Sequence, residues 1–415
     1  MDPPLTEQSR LRLRPLSVVA DGDEYLVGDP QSGTYVALPA IGVTVIERLR
    51  AGATLGEARQ VASAEAGEDV DAVDFGNTLV ELGFVADVDG TPIDAAPEGR
   101  ARRWIGGVRP EVARPLFNRF AWACYAALFA GCAVVFTAQP EYLPRPDDLF
   151  FLSSPVNSLG MLVVWGMLSA AGHEAAHWLA ARAEGVPARF SVGRRLYFLV
   201  FETDLSHLWG LPRGRRFGPL LAGLAFDTVV LSALLAVTLV SRSAAVDRSA
   251  AALIAVEVSG ILFQCLVFLR TDLYLVLVMM FGCRDLRRVN SLELRRMVGR
   301  LTPEQAVQLA GAHPQDLRVA RWFRWLSLAG IVAATGYFAA FVVPALWTLL
   351  GWIADSFSDS DPTDGRFWQS LVFAGLALLP LAFVIGVTIR DQLVRVRRGR
   401  RMVRSRSTHR PEIGI

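Results

Sequence analysis

The chain has 415 residues, of which 52% are hydrophobic and only 20% are charged, and its mean hydropathy is +0.35. This composition is typical of membrane proteins and excludes an ordinary soluble enzyme. All 42 basic residues are arginine, the formal net charge is only +2, and the arginines lie beside hydrophobic runs, which excludes a nucleic-acid-binding protein. The four cysteines lie in or beside apolar segments without CxxC spacing, which excludes a disulfide framework or zinc finger.

Residues 1–95 form a separate module of mixed polarity before the first hydrophobic run. Three alternating segments predict a small antiparallel sheet, at 16–20, 24–29 and 34–38. Three helices should follow. The first covers 41–49, the second begins after a cap at Thr54 with Glu57 three residues later, and the third covers 71–82. A last strand, FVADV, closes the unit. Because the first residues lack the apolar core of a secretory signal, we expect this α+β, winged-helix-like domain to stay in the cytoplasm.

Six runs of about 20 apolar residues predict a polytopic α-helical membrane protein. They cover residues 117–139, 155–180, 217–241, 249–280, 325–351 and 367–389. The connecting segments alternate between arginine-rich and arginine-poor, so the positive-inside rule places both termini on the cytoplasmic side of the cell membrane. The fourth run is longer than one membrane thickness, and a break is expected near Arg270 and Thr271.

The predicted domain order places the membrane core at 117–290, after a linker at 96–116. A cytoplasmic amphipathic segment follows at 291–318, then two additional spans within 319–390 and a basic tail at 391–415. The polar stretch 185–216 contains an alternating pattern that predicts a hairpin at the cytoplasmic interface. The arginines and leucines of 284–318 suggest an interfacial helix that faces lipid headgroups.

The motif His173-Glu174-Ala175-Ala176-His177 lies inside the second apolar run. On a helix, His173 and His177 are one turn apart, so both imidazoles can bind one zinc ion while Glu174 lies near the bound water. Ionisable groups in an apolar helix are costly and are rarely accidental. The alternative is a pair of buried histidines that bond to neighbouring helices.

A catalytic zinc requires a third protein ligand, and three acidic residues occur in the later apolar runs. At 1.5 Å per residue, Asp272 falls at about the depth of His173, whereas Glu257 is too shallow. Asp227 in the third run is also within reach. Depth therefore favours Asp272 and leaves Asp227 as the second candidate.

Three blocks in this order make residues 115–290 similar to the site-2 protease family of intramembrane zinc metalloproteases, and most to its peptide-maturation branch. They are GHEAAHWLAAR, FETDLSHLWGLPRGRR and RTDLYLVL. The resemblance implies that Asp272 is the third ligand, although Leu273 replaces the family's usual glycine and no Asn-Pro precedes it. The segment LAGLAFD resembles a family substrate-binding segment, with Gly223 matching and Asp227 in place of asparagine. The equal alternative is that Gly223 only allows helices to pack closely and that Asp227 is a polar residue that joins helices.

Residues 10–90, ending in LVELGF, resemble the PqqD-like family, whose members bind the leader of a ribosomally made peptide as an added edge strand. Together the two resemblances imply a zinc endopeptidase, with Glu174 as general base, that matures a precursor peptide recruited by the module. The alternatives are cleavage of a single-span membrane protein, and a non-proteolytic protein for peptide binding, export or immunity. The module itself could instead be a regulatory or structural cap.

Overall fold

The computed structural model describes residues 5–22, 24–30, 32–93, 108–195, 198–269 and 271–358, with isolated positions between 363 and 375. This part of the chain is mostly helical. It divides into two compact units, one formed by Met1–Pro144 and Leu162–Gly336 and the other by Arg145–Met161 and Tyr337–Ile415. Most of the predicted sixth span, the basic tail and much of the linker at 96–116 lie outside the described residues.

The N-terminal region of the first unit contains two small antiparallel sheets and three helices. Its strands are β1 (Leu11–Leu13), β2 (Ser17–Asp21), β3 (Glu24–Asp29), β4 (Thr34–Leu38), β5 (Val85–Val88) and β6 (Thr91–Pro92). Its helices are α1 (Ala40–Arg50), α2 (Leu55–Ala66) and α3 (Ala72–Glu81). One sheet has the order β2-β3-β4 and the other has the order β1-β5-β6. The second sheet differs from the sequence prediction, because β1 and β6 are too short to show an alternating pattern.

Local capping and one apolar core hold this region together. The Thr54 side chain accepts a hydrogen bond from the Glu57 amide, and the Glu57 carboxylate accepts one from the Thr54 amide, which begins α2 as predicted. Val27, Ile46 and Phe84 are completely buried in the shared core. Because these three come from strand β3, helix α1 and the position just before strand β5, their burial ties both sheets and the helices together.

The remaining helices follow in chain order. They are α4 (Pro110–Ala113), α5 (Arg119–Ala138), α6 (Pro155–Ala183), α7 (Arg213–Val240), α8 (Ala244–Gln264), α9 (Asp272–Phe281), α10 (Leu286–Met297), α11 (Pro303–Ala310), α12 (Pro314–Tyr337) and α13 (Val343–Ser358). A hairpin of β7 (Arg189–Arg195) and β8 (Phe198–Asp204) connects α6 to α7, where the sequence predicted it.

In the described part of the chain, three helices are long and apolar enough to cross a membrane: Arg119–Ala138, Arg213–Val240 and Pro314–Asp355. They overlap three of the six predicted spans. The second predicted span forms α6, which is continuous through the histidine motif. The fourth predicted span consists of two helices, because α8 ends at Gln264 and α9 begins at Asp272, and this break includes the expected position near Arg270 and Thr271.

The sequence suggested that α10 is an interfacial helix that faces lipid headgroups. In the structure, the apolar face of α10 packs against protein. Leu286, Val289 and Leu292 are buried in a core shared with Phe323 of α12. The apolar face is therefore used inside the protein, and the arginines of this helix lie on its exposed side.

Ion pairs connect the N-terminal region to the helices of the same unit. Asp21 accepts a hydrogen bond from the fully buried Arg216 at 3.0 Å, and Glu24 pairs with Arg284 at 2.8 Å. His207 is buried next to Gly33. A buried arginine requires such partners, so the β2–β3 turn is a fixed contact of this unit.

The second unit is smaller in its described part. It contains a 3-10 turn at Pro146–Leu149, the first residues of α6, a π-helical turn at Phe338–Val342 and α13.

Candidate metal centre

Helices α6 and α9 bring the predicted ligands together. His173 Nε2 lies 3.0 Å from Asp272 Oδ2, His177 Nε2 lies 3.2 Å from the same oxygen, and the two Nε2 atoms are 3.1 Å apart. Among the described residues, these three form the one group of histidine, cysteine or acidic side chains with metal-binding spacing. Two bonds of about 2.0–2.1 Å at a tetrahedral zinc hold their ligand atoms about 3.3 Å apart, so this triangle fits zinc.

The partners of the other ring nitrogens determine which histidine atoms are free to bind a metal. His177 Nδ1 lies 2.7 Å from the Pro219 carbonyl, and His173 Nδ1 lies 2.9 Å from Asp227 Oδ2. A carbonyl and a carboxylate only accept, so both Nδ1 atoms carry hydrogen and both Nε2 atoms of neutral rings carry a lone pair. Two lone pairs and a carboxylate oxygen that converge within this distance repel one another unless a cation lies between them. The donor set therefore fits a divalent metal ion.

Asp227 and Asp272 have different positions. Asp272 faces the Nε2 atoms, whereas Asp227 binds the opposite nitrogen of His173. This separates the two candidates for the third ligand and gives Asp227 the role of orienting the His173 ring, a contact that commonly accompanies metal-binding histidines. Glu257, set aside by depth, bonds to Trp165 and Ser169 and not to either histidine.

Gly223 lies directly against the two imidazoles. A Cβ at this position would be 2.3 Å from His173 Nε2 and 2.5 Å from His177 Nε2. Only glycine allows the α7 backbone to approach the ligand atoms this closely. Gly223 therefore lies where helix α7 packs closely against the histidines. A role for Gly223 in binding substrate remains a prediction.

Gln264 is a site residue that the sequence did not reveal. Its Oε1 accepts a hydrogen bond from the Asp272 amide at 3.2 Å, and the Thr271 hydroxyl donates to the Gln264 carbonyl at 2.7 Å. These bonds hold the break between α8 and α9. The available signal was a polar side chain eight residues before Asp272, directly followed by the apolar stretch 265–269.

Glu174 borders the same cavity as His173, Asp227 and Asp272, which has a volume of about 610 Å³. Its Oε2 accepts a hydrogen bond from the Thr203 amide at 3.0 Å, and the Thr203 hydroxyl donates to the Glu174 carbonyl at 2.7 Å. The end of β8 therefore holds the predicted general base at the cavity wall. Asp204, next in the chain, accepts from the Ser206 amide and shapes the turn after the hairpin.

No family model, curated protein or solved structure matches this chain. The geometry of the site is therefore the main guide to function.

Proposed function

We propose that the chain is a polytopic membrane zinc endopeptidase with about six spans, which cleaves a peptide bond near the cytoplasmic face of the cell membrane. The observation that carries this proposal is the convergence of His173 Nε2, His177 Nε2 and Asp272 Oδ2 within 3.0–3.2 Å. The three long apolar helices support a membrane location. The resemblance of the sequence to site-2 proteases supports the same reaction.

His173, His177 and Asp272 would hold the zinc ion, with Asp227 and the Pro219 carbonyl orienting the two rings. Bound there, zinc would polarise a carbonyl and lower the pKa of a coordinated water. The remaining chemistry belongs to the protein.

Glu174 would take a proton from the attacking water at its carboxylate and return it to the leaving amine. Thr203 fixes one of its oxygens, which leaves the other available for proton transfer. A positioned general base of this kind accelerates a reaction by about 10²–10⁴-fold.

In this proposal the N-terminal region recruits the substrate, which by resemblance to the PqqD-like family is a ribosomally made precursor peptide. Its fixed attachment through Arg216 and Arg284 supports this role, because a peptide bound to it would be held near the helices of the site. Cleavage of a single-span membrane protein is the alternative substrate class.

The test compares the wild-type chain with Glu174→Gln in lipid nanodiscs, with a mixed peptide library as substrate and mass spectrometry as readout. We expect Glu174→Gln to keep its zinc and lose cleavage by about 10²–10⁴-fold. The matched control is Glu184→Gln, which alters an acid that pairs with Arg215 just beyond the end of α6. Undiminished cleavage by Glu174→Gln would reject the proposed base. Zinc without cleavage in the wild type would favour a non-proteolytic binding protein.

A further inference from the structure

A second cavity, of about 1250 Å³, lies between the N-terminal region and helices α9 to α12 of the first unit. The β2–β3 turn and strand β4 form one wall, and α10 forms much of the other. This volume exceeds the roughly 300–1,000 Å³ of typical small-molecule sites. We name it the arginine cleft, because seven arginines and only three carboxylates line it.

The carboxylates of the arginine cleft are already engaged. Asp21 and Glu24 pair with Arg216 and Arg284, and Asp285 accepts from the backbone amide of Arg288 at the start of α10. Even with the charge of Asp285 counted, the seven arginines and three carboxylates leave an excess of four positive charges in the cleft.

Five lining arginines have no carboxylate partner among the described residues. They are Arg213, Arg287, Arg288, Arg295 and Arg318. Arg213 bonds to the Met279 carbonyl and Arg318 to the Gln315 side chain, both uncharged partners. A cleft with an unbalanced charge of one sign attracts a ligand of the opposite sign, and guanidinium groups match carboxylates in shape.

The walls also distinguish a peptide from a lipid headgroup. Tyr35, Trp209 and Phe281 contribute aromatic surface beside the arginines. This combination suits a peptide in which acidic and apolar side chains alternate. Leu286, Val289 and Leu292 of α10 are buried in the protein, so this helix lacks a continuous apolar face with which to enter a bilayer. The charge and the aromatic surface together favour an acidic, partly apolar peptide.

Helix α9 relates the arginine cleft to the candidate metal centre. It begins at Asp272, and its later residues, including Val278 and Phe281, line the cleft. Its ten residues span about 15 Å at 1.5 Å per residue. An extended peptide covers this distance with at least about four residues.

We propose that the arginine cleft binds an extended acidic segment of a peptide, whose carboxylates pair with Arg287, Arg288 and Arg295. The proposed function adds that this peptide is the substrate, and this addition rests on that function. The acidic segment would then lie at least about four residues from the cleaved bond. Binding itself does not require catalysis.

The test measures binding of a fluorescent peptide of alternating Glu and Leu to the full-length Glu174→Gln protein in phosphatidylcholine nanodiscs. The cleft variant carries Arg287→Gln, Arg288→Gln and Arg295→Gln. The matched control carries Arg48→Gln, Arg242→Gln and Arg300→Gln, which remove the same charge from exposed arginines that do not line the cleft.

We expect the Kd to rise by about tenfold or more in the cleft variant and by less than about twofold in the control. A peptide with Gln in place of Glu should bind the unaltered arginines about tenfold more weakly, a comparison that does not depend on the folding of any variant.

Equal weakening by both triple variants would mean that only net charge matters and would overturn the proposal. So would equal binding of the Glu and Gln peptides. Cosedimentation with phosphatidylglycerol vesicles that falls only in the cleft variant, with peptide binding unchanged, would identify a lipid site instead. Peptide binding without hydrolysis by the wild type would reject the endopeptidase alone, whereas hydrolysis without such binding would reject the cleft alone.

Discussion

Gly223→Ala should distort the metal centre and weaken zinc binding while adding only one methyl group. The new Cβ would lie 2.3 Å from His173 Nε2 and 2.5 Å from His177 Nε2, whereas ordinary contacts begin at 3.4 Å. The rings would therefore have to move by about 1 Å, and a misplacement of this size in a catalytic site costs about 10²-fold in rate. Their Nδ1 bonds to Asp227 and the Pro219 carbonyl resist that movement.

The control for this variant is Gly218→Ala on the same helix. Its Cβ would meet only Trp122, at 3.7 Å, which is ordinary contact. Alanine is a better helix former than glycine by about 0.5–1 kcal/mol, so this control should fold at least as well as the wild type.

The assay is zinc per chain after dialysis against a zinc buffer, together with thermal unfolding. We expect Gly223→Ala to bind zinc about 10–100-fold more weakly, and Gly218→Ala to be unchanged. Full zinc occupancy and full cleavage by a folded Gly223→Ala would refute the close approach of α7 to the ligands.

Three further predictions concern the ring contacts, the topology and one thiol. Asp227→Ala should weaken zinc binding by about 10–100-fold without abolishing it, because it removes an orienting contact and not a ligand; complete loss of zinc would make Asp227 a ligand. A reporter at Gly99 or at the C-terminus should report cytoplasm, and a tag within 355–364 should be accessible from outside; an external C-terminus would require an odd number of spans. Burial and the neighbouring Asp316 raise the pKa of Cys283 to about 12. In a variant with no other cysteine, alkylation of Cys283 at pH 8 should therefore be at least about 100-fold slower than that of a free thiol, and it should accelerate as the pH rises. Alkylation at the rate of a free thiol would contradict this environment.

The sequence predicts those parts of the protein that depend on local patterns. Strands β2 to β4 alternate in polarity, the cap at Thr54 is local, and His173 and His177 are one helical turn apart. The break before Asp272 was also expected from length alone. Each of these features is encoded within a few neighbouring residues.

The contacts that position the site are long-range and leave little trace in the sequence. Gln264 reaches the Asp272 amide across a break in the helix, and Gly223 is one of many glycines until its distance to the imidazoles is known. His207 is buried next to Gly33, which is distant in the chain. For the same reason, the amphipathic pattern of α10 shows an apolar face but not whether lipid or protein covers it.

The central claim is tested most directly by the zinc content of the purified full-length chain and of Asp272→Ala. The account predicts about one zinc per wild-type chain, since three ligands complete a catalytic site, and almost none in Asp272→Ala at the same free zinc concentration. Glu174→Gln, which leaves all three ligands in place, should match the wild type. Full occupancy in Asp272→Ala, or no zinc in the wild type, would contradict the metal centre on which the proposed function depends.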